Sequence, residues 1–322
     1  MFIDARDTDD RNRTLLLLKV ARRYYLGGAS QQDIADEIGY SRPTVSRMLD
    51  EARQWGIVHI EVSHPLERML RLEQDLAHKF GLADARVVTP SPEGANNPTS
   101  KLAECAARYV SEITSDTSVI AVSNGSTIST VVDAFQQLHR PDSWIVQMIG
   151  TLGRENPLTD SPDICRRMAQ AFGGRYMVLP APLVVGTKRL ASALYREDTI
   201  STTLAMGSRA DVALLGIGAT GPNGSGPIFD GWMTPAITAS LRDKHAVGHL
   251  CGHHYDPDGN HIVNDLCQRV MSVPIERLRD IPRVVAVAYG TEKSAAIRGA
   301  LNGKYVDVLI TDATTAQEIL AD

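Results

Sequence analysis

The stretch Ser123-Asn-Gly-Ser-Thr127 gathers what an anion needs: hydroxyls, an amide side chain and a glycine that lets backbone approach closely. It follows the apolar run 118–122 and leads into a helical pattern. Its amides would therefore stand at a helix N-terminus, where Asn124, Gly125, Ser126 and Thr127 form a natural phosphate cradle. The same residue types also begin ordinary capped helices, and the stretch alone does not separate the two. A second such loop, Gly290-Thr-Glu-Lys293, follows the apolar run 284–288 and opens a helix at 294–301. There Lys293 can offer a point charge to a phosphate, or simply stand on the surface.

Three further constellations invite chemistry and do not support it. Gly216-Ile-Gly-Ala-Thr-Gly221 is formally G-x-G-x-x-G, but the loop formers Pro222-Asn-Gly-Ser-Gly-Pro227 follow where a dinucleotide fold needs a helix, so no nicotinamide is expected. In Gly248-His-Leu-Cys-Gly-His-His254 a single strand would put His249, Cys251 and His253 on one face, a geometry open to zinc. Neither CxxC nor HExxH spacing supports that reading, and structural histidines are the simpler one. Asp256-Pro-Asp-Gly259 has its glycine at loop position four and Cys267 where a calcium loop carries glutamate, so it reads as a turn. Neither a metal nor a cofactor is expected.

A different chemistry sits near the start. Ser41, Arg42, Thr44, Ser46 and Arg47 place donors on one short segment. Arginine can bond guanine O6 and N7 in a bidentate way, and hydroxyls reach bases or phosphates. The elements around it are punctuated to present it. Residues 15–26 read as a helix with Leu15, Leu18, Ala21 and Tyr25 at helical spacing, ended by Gly27-Gly28. Ser30 and Asp33 form a near variant of the capping box for a helix at 31–38, which opens with Gln31. Gly39 supplies a turn, and Ser41 caps a third helix with Pro43 in its first turn, ending near Trp55 and Gly56. The spacing of Ala35, Gly39 and Val45 predicts a helix-turn-helix over 31–50, its last helix entering the major groove by its N-terminal residues. A structural helical hairpin is the bland alternative. Residues 57–62 alternate like a strand.

The rest of the chain supplies the larger scaffold. Residues 66–80 form a charged helix whose stripe of Met69, Leu72, Leu76 and Phe80 either pairs with a twin or packs on its own domain. Residues 89–99 are a turn-rich loop. Apolar runs at 85–89, 118–122, 144–149, 175–179, 212–217, 284–288 and 308–311 alternate with helical segments, which predicts a parallel sheet covered on both faces. Ligands of such sheets bind beyond the carboxyl ends of strands. The domains expected are 1–63 for DNA, 64–82 as linker or dimerisation helix, and 83–322 for a ligand.

Composition narrows the class. The 322 residues are 43% hydrophobic and 22% charged, close to a globular average, with a net charge of -5 that leaves room only for a local basic face. Neither a bilayer-length apolar run nor a secretory signal is expected, and four scattered cysteines fit reduced thiols in a cytoplasmic protein.

Taken together these segments resemble the SorC family of sugar-binding transcription regulators, nearly end to end from about Leu18 to Leu320. The likeness is carried by Tyr24-Tyr25, the segment 31–39, Ser41-Arg42 with Val45-Ser46-Arg47, and Gly56-Ile57-Val58. It continues through Gly125-Ser-Thr127, Leu179-Pro-Ala-Pro-Leu183, Gly216-Ile-Gly218, Ala246-Val-Gly248, Asp256-Pro-Asp-Gly259, the segment 290–297 and Thr311-Asp312. The resemblance implies an α/β chain in which a helical DNA-binding domain precedes a Rossmann-like effector domain similar to phosphosugar isomerases. It also implies a homotetramer that binds double-stranded operator DNA and responds to a small sugar or polyol phosphate, with no membrane partner. In that pattern Asn124, Gly125, Ser126, Thr127 and Lys293 hold the phosphate, while Gly150, Thr151 and position 249 line the sugar side. This chain carries His249 where the family usually has aspartate, and Ala313 where it often has an acidic or amide residue. Imidazole offers one donor and one acceptor in place of two acceptors. The fold relatives also suggest a sugar-phosphate isomerase or deaminase. Asp211, Asp230 and His249 are available for that, but none sits in a catalytic motif, so no catalytic residue is assigned. A sensor of a phosphorylated quorum signal would differ only in its ligand.

Overall fold

The computed structural model describes residues 5–59, 65–89, 98–153, 157–221 and 227–321. The chain divides into two units, 1–64 and 65–322.

In the first unit, α1 (Ala5–Ala21) runs into a π-helical turn at Arg22–Leu26, followed by α2 (Gln31–Ile38) and α3 (Arg42–Gln54). Their core is Leu17, Val20, Ala21, Ile34, Ala35, Val45, Met48, Leu49 and Ala52. The first helix thus presents a different face from the expected one: Leu15 is 57% exposed while Leu17 and Val20 are fully buried. The π turn shifts the register only beyond Ala21, so it breaks the 3.6-residue spacing at Tyr25 but does not account for the exposure of Leu15. The caps behave as their chemistry requires. Ser30 Oγ accepts from the Asp33 amide, and the Asp33 carboxylate accepts from the Ser30 amide and hydroxyl. Those bonds hold the Asp33 carboxyl below its ordinary range. Gly39 turns the corner at φ 73°, a left-handed conformation that a side chain would strain. Ala35 and Val45 are both buried where α2 and α3 meet. Ala35→Leu is accordingly expected to cost about 1–3 kcal/mol by overpacking, read as a lower melting temperature of the first unit and weakened operator binding. Retention of both would mean the helix contact yields freely. Of the strand expected at 57–62, residues 57–59 are a bend and irregular chain rather than strand, and 60–62 lie outside the described residues, as does most of the loop at 89–99.

The second unit is built on a seven-stranded parallel sheet of order β1-β10-β9-β5-β2-β3-β4. Its strands are β1 (Asp84–Val88), β2 (Val119–Val122), β3 (Trp144–Gln147), β4 (Arg175–Met177), β5 (Val212–Gly216), β9 (Val284–Val287) and β10 (Val308–Asp312). Each of the seven apolar runs named from sequence supplies one of them. Successive residues face opposite sides: Ile120, Val122, Val212 and Leu214 join α5 (Pro98–Ile113), α6 (Ser126–Asp133) and α7 (Ser161–Phe172) in one core. Ala121, Ala213 and Leu215 join α4 (Pro65–Phe80), α9 (Asp198–Gly207), α11 (Ser294–Asn302) and α12 (Ala313–Ala321) in the other. The stripe Met69, Leu72, Leu76 and Phe80 is buried in that second core, so α4 packs on β1 and α12 of its own chain.

A small antiparallel sheet of β6 (Gly218–Ala219), β7 (Gly248–Leu250) and β8 (His253–Tyr255) has no counterpart in the sequence reading. Together with α8 (Lys188–Leu194) and α10 (Pro235–Asp243), it lies in chain order between β4 and β9. A separate apolar cluster around Phe229, Ile237, Leu241, Ile262 and Leu266 supports this part of the fold. Among the described residues no helix is long and apolar enough to cross a membrane.

Candidate functional site

From β2 the chain steps outward to β3 and β4, whereas from β9 it steps the opposite way to β10. The loops leaving β2 and β9 therefore part on either side of β5, and such a divergence opens a crevice at the carboxyl ends of the strands. A cavity of about 290 Å³ occupies this place. Its walls include Ser123, Asn124, Gly125, Ser126 and Thr127 after β2, Gly216 to Ala219 after β5, and Glu292 and Lys293 after β9. His249, Cys251 and Gly252 of the small sheet, with Ile149 and Ile228, complete it.

The β2 loop is shaped for a guest. Gly125 takes φ 110° at the start of α6, and no side chain caps that helix. Its own amide donates to Thr159 O (3.0 Å), which fixes the loop. The side-chain nitrogen of Asn124 is buried without a hydrogen-bond partner. A buried amide left unpaired costs about 1–3 kcal/mol, so a pocket-lining one argues for a ligand that supplies an acceptor. Across the cavity, Gly290 (φ 97°) opens the short 3-10 turn Thr291–Lys293 that continues into α11. The Gly290 amide donates to Thr315 Oγ1 (2.8 Å) and Asp312 (3.2 Å), so Asp312 and Thr315 brace this loop. The Lys293 ammonium stands 5.7 Å from the Tyr289 ring centroid, with no carboxylate paired to it among the described residues.

His249 reaches the cavity by an arrangement that the sequence did not disclose. Cys251 (φ 49°) and Gly252 (φ 81°) make a two-residue turn with both φ values positive, the geometry that closes tight hairpins. The expected single strand from 249 to 253 is therefore a hairpin. His249 pairs with His254 across it, and both rings pack on Phe229, with centroids 5.3 and 5.0 Å away. Burial drives His254 well below its ordinary value, with the His249 and His253 neighbours adding to it, and takes His253 to about 3, so both stay neutral. Burial also pushes the Cys251 thiol up to about 12, which removes it as a nucleophile.

Gly218 explains how the His249 ring lies flat in the wall: a Cβ there would fall 2.1 Å from its Nε2. Gly218→Ala is expected to swing the ring out and weaken effector binding about tenfold, the loss of roughly one hydrogen bond. A ligand titration by calorimetry checks this, and unchanged affinity would remove His249 from the ligand's contacts.

Gly150 and Thr151 are placed differently from Asn124 to Thr127, His249 and Lys293. They stand just beyond Ile149 and outside the lining. The Gly150 amide donates to Met271 O (2.8 Å) and the Thr151 amide to Ala181 O (2.9 Å). A Cβ on Gly150 would meet the Pro182 carbonyl at 2.6 Å, so backbone packing suffices to explain that glycine. Glu292 and the Gly216 to Ala219 wall were not singled out as ligand contacts from sequence. Of the carboxylates considered for catalysis, Asp211 binds the Val119 amide (2.8 Å) at the opposite end of β2, and Asp230 is not in the lining.

On α3 of the first unit, Ser41, Arg42 and Arg47 are exposed and Thr44 and Ser46 half-buried, with Gln31 half-buried at the start of α2. The Ser41 and Thr44 hydroxyls bond each other at 2.8 Å. Neither arginine is paired with a carboxylate among the described residues, whereas Arg13 is tied to Glu51 and Arg23 to Glu37. Arg42 and Arg47 thus stand exposed and, among the described residues, without an ion pair on the N-terminal half of α3.

The family model Sugar-bind, a sugar-binding domain, matches residues 64–321. The deoxyribonucleoside regulator of Bacillus subtilis is 33% identical over 315 residues, covering 97% of this chain and 99% of that one. The transcriptional regulator LsrR of Klebsiella pneumoniae is 29% identical over 311 residues, 95% of this chain and 93% of that one. Among solved structures, the full-length sorbitol operon regulator SorC of Klebsiella pneumoniae superposes with a TM-score of 0.74 at 26% identity, covering 96% of this chain and 99% of its own.

Proposed function

Since the chain belongs to the SorC family of sugar-binding transcriptional regulators, we propose that the cavity between the β2 and β9 loops is its effector site and takes a small phosphorylated sugar or polyol. The observation that carries this is the convergence of the buried, unpaired Asn124 amide, the uncapped start of α6 and the Lys293 cation on one cavity. Those three offer donors and positive charge, the recognition set for a phosphate. In the same lining His249 and the Glu292 carboxylate offer acceptors for hydroxyls. An all-phosphate ligand would meet Glu292 unfavourably, whereas a ligand with a phosphate head and a hydroxylated tail satisfies both sets.

The named relatives are regulators rather than enzymes, and the output is DNA binding through α2 and α3, with Gln31, Ser41, Arg42, Thr44, Ser46 and Arg47 facing the duplex. Double-stranded operator DNA is the macromolecular partner, the cytoplasm the place of action, and a homotetramer the working assembly. The ligand acts by binding one arrangement of that assembly better than another, since a ligand indifferent to the two shifts nothing. The residues 1–63 form the reading domain in this account, 64–82 the connection and 83–322 the sensor. A thermal-shift screen of sugar and polyol phosphates against their unphosphorylated parents tests it. Stabilisation by at least one phosphate ester, lost with its parent sugar, is expected; equal response to the parent sugar removes the phosphate from the proposal.

A further inference from the structure

The face of the β7–β8 hairpin turned away from the cavity carries a second cluster that the effector site does not use. One ring nitrogen each of His253 and His261 and the sulfur of Cys267 lie within 4.8 Å of one another. His261 Nε2 and Cys267 Sγ are 3.5 Å apart, and the two imidazoles meet edge to face with centroids 5.1 Å apart. Around a tetrahedral zinc, with bonds of about 2.0–2.1 Å to nitrogen and 2.3 Å to sulfur, a nitrogen and a sulfur sit about 3.6 Å apart. The His261–Cys267 spacing already matches. His253 is 6% exposed, its Nε2 bonds Ser272 Oγ at 3.0 Å, and its Nδ1 is buried without a partner. His261 Nδ1 meets Glu276 Oε1 at 2.6 Å, which leaves Nε2 directed at the sulfur. Ligating imidazoles are commonly oriented by a carboxylate or hydroxyl on the second nitrogen, and here both histidines have such a partner.

We propose that His253, His261 and Cys267 form a zinc site. Two imidazoles and a thiolate favour zinc over magnesium or calcium, which take oxygen ligands. The fourth position would be taken by water, and binding would release the Cys267 proton to solvent. The sequence spacing, eight and six residues, follows none of the usual zinc patterns, because the ligands come from β8, the loop after it and the 3-10 turn Cys267–Arg269. A bound ion would fasten the back of the hairpin whose front carries His249, independently of which effector the cavity takes.

The test uses the full chain, stripped with chelator and titrated with Co²⁺ and then Zn²⁺. One cobalt per chain with a thiolate charge-transfer band, displaced by zinc, is expected. Cys267→Ser should lose the band, and His261→Ala the binding. Glu276→Gln, which alters a half-exposed orienting residue and keeps all three ligands, should weaken zinc about 10- to 100-fold. That variant keeps the proposal testable if the others fold poorly. Absence of a band at one equivalent, a band that survives Cys267→Ser, or an unchanged affinity in Glu276→Gln would each overturn the site.

Discussion

Lys293→Ala is expected to weaken effector binding by about 1.5–3 kcal/mol, roughly 10- to 150-fold, while the ligand-free protein binds operator as before. The ammonium sits at the cavity wall with no carboxylate paired to it among the described residues, so its charge is available to a ligand. Its neighbour Glu292 lines the same cavity, and its carboxylate folds back over Gly290. Removing Lys293 leaves that carboxylate in the cavity wall without its neighbouring cation, which pushes the loss toward the upper end. Salt widens the contrast: the wild-type affinity should fall with ionic strength more steeply than the variant's, because only one retains the ion pair. Calorimetric titration with the phosphate ester selected by thermal shift measures the first effect, and a mobility-shift titration with and without ligand measures the second. A normal ligand response in the variant would remove Lys293 from the phosphate site.

What the chain disclosed in advance follows the strength of its physical signals. The central parallel strands are largely buried on both faces, and runs such as Val119–Val122 and Val284–Val287 can hardly be anything else. The ends of α2 were legible because Ser30, Asp33 and Gly39 each do a job that few other residues can do. The loops at 123–127 and 290–293 stood out by their residue types, but nothing local says that they line one cavity; that is a property of strand order. The small sheet escaped because its strands are two and three residues long, shorter than any periodicity can register. The same cause hid the two faces of the histidine run. Read as one strand it groups His249 with His253, whereas the Cys251-Gly252 turn sends them to opposite faces. His261 and Cys267 join His253 only through that folding.

Arg47→Ala is expected to weaken operator binding by about 1–3 kcal/mol if the guanidinium reads a base, with discrimination lost at one operator position. Arg42→Ala, one turn nearer the start of α3, serves as its internal comparison. A residue that only neutralises phosphate weakens all sequences alike and lowers the slope of log affinity against log salt by about one. Both arginines are exposed and, among the described residues, unpaired, so neither loss is masked by breaking an ion pair there. Their neighbours separate the two roles. Arg42 stands at the first residue of α3, where the groove wall passes, and Arg47 lies one residue before buried Met48, on the face opposite the core. A helix entering the major groove by its N-terminal turns brings Arg47 over base edges and leaves Arg42 at the backbone. The expected result is a specificity change for Arg47 and a salt-slope change for Arg42, with effector affinity intact in both. Equal, sequence-independent losses would place both on phosphates, and the base reading would then fall to Thr44 and Ser46, whose half-buried hydroxyls are the remaining donors on that face.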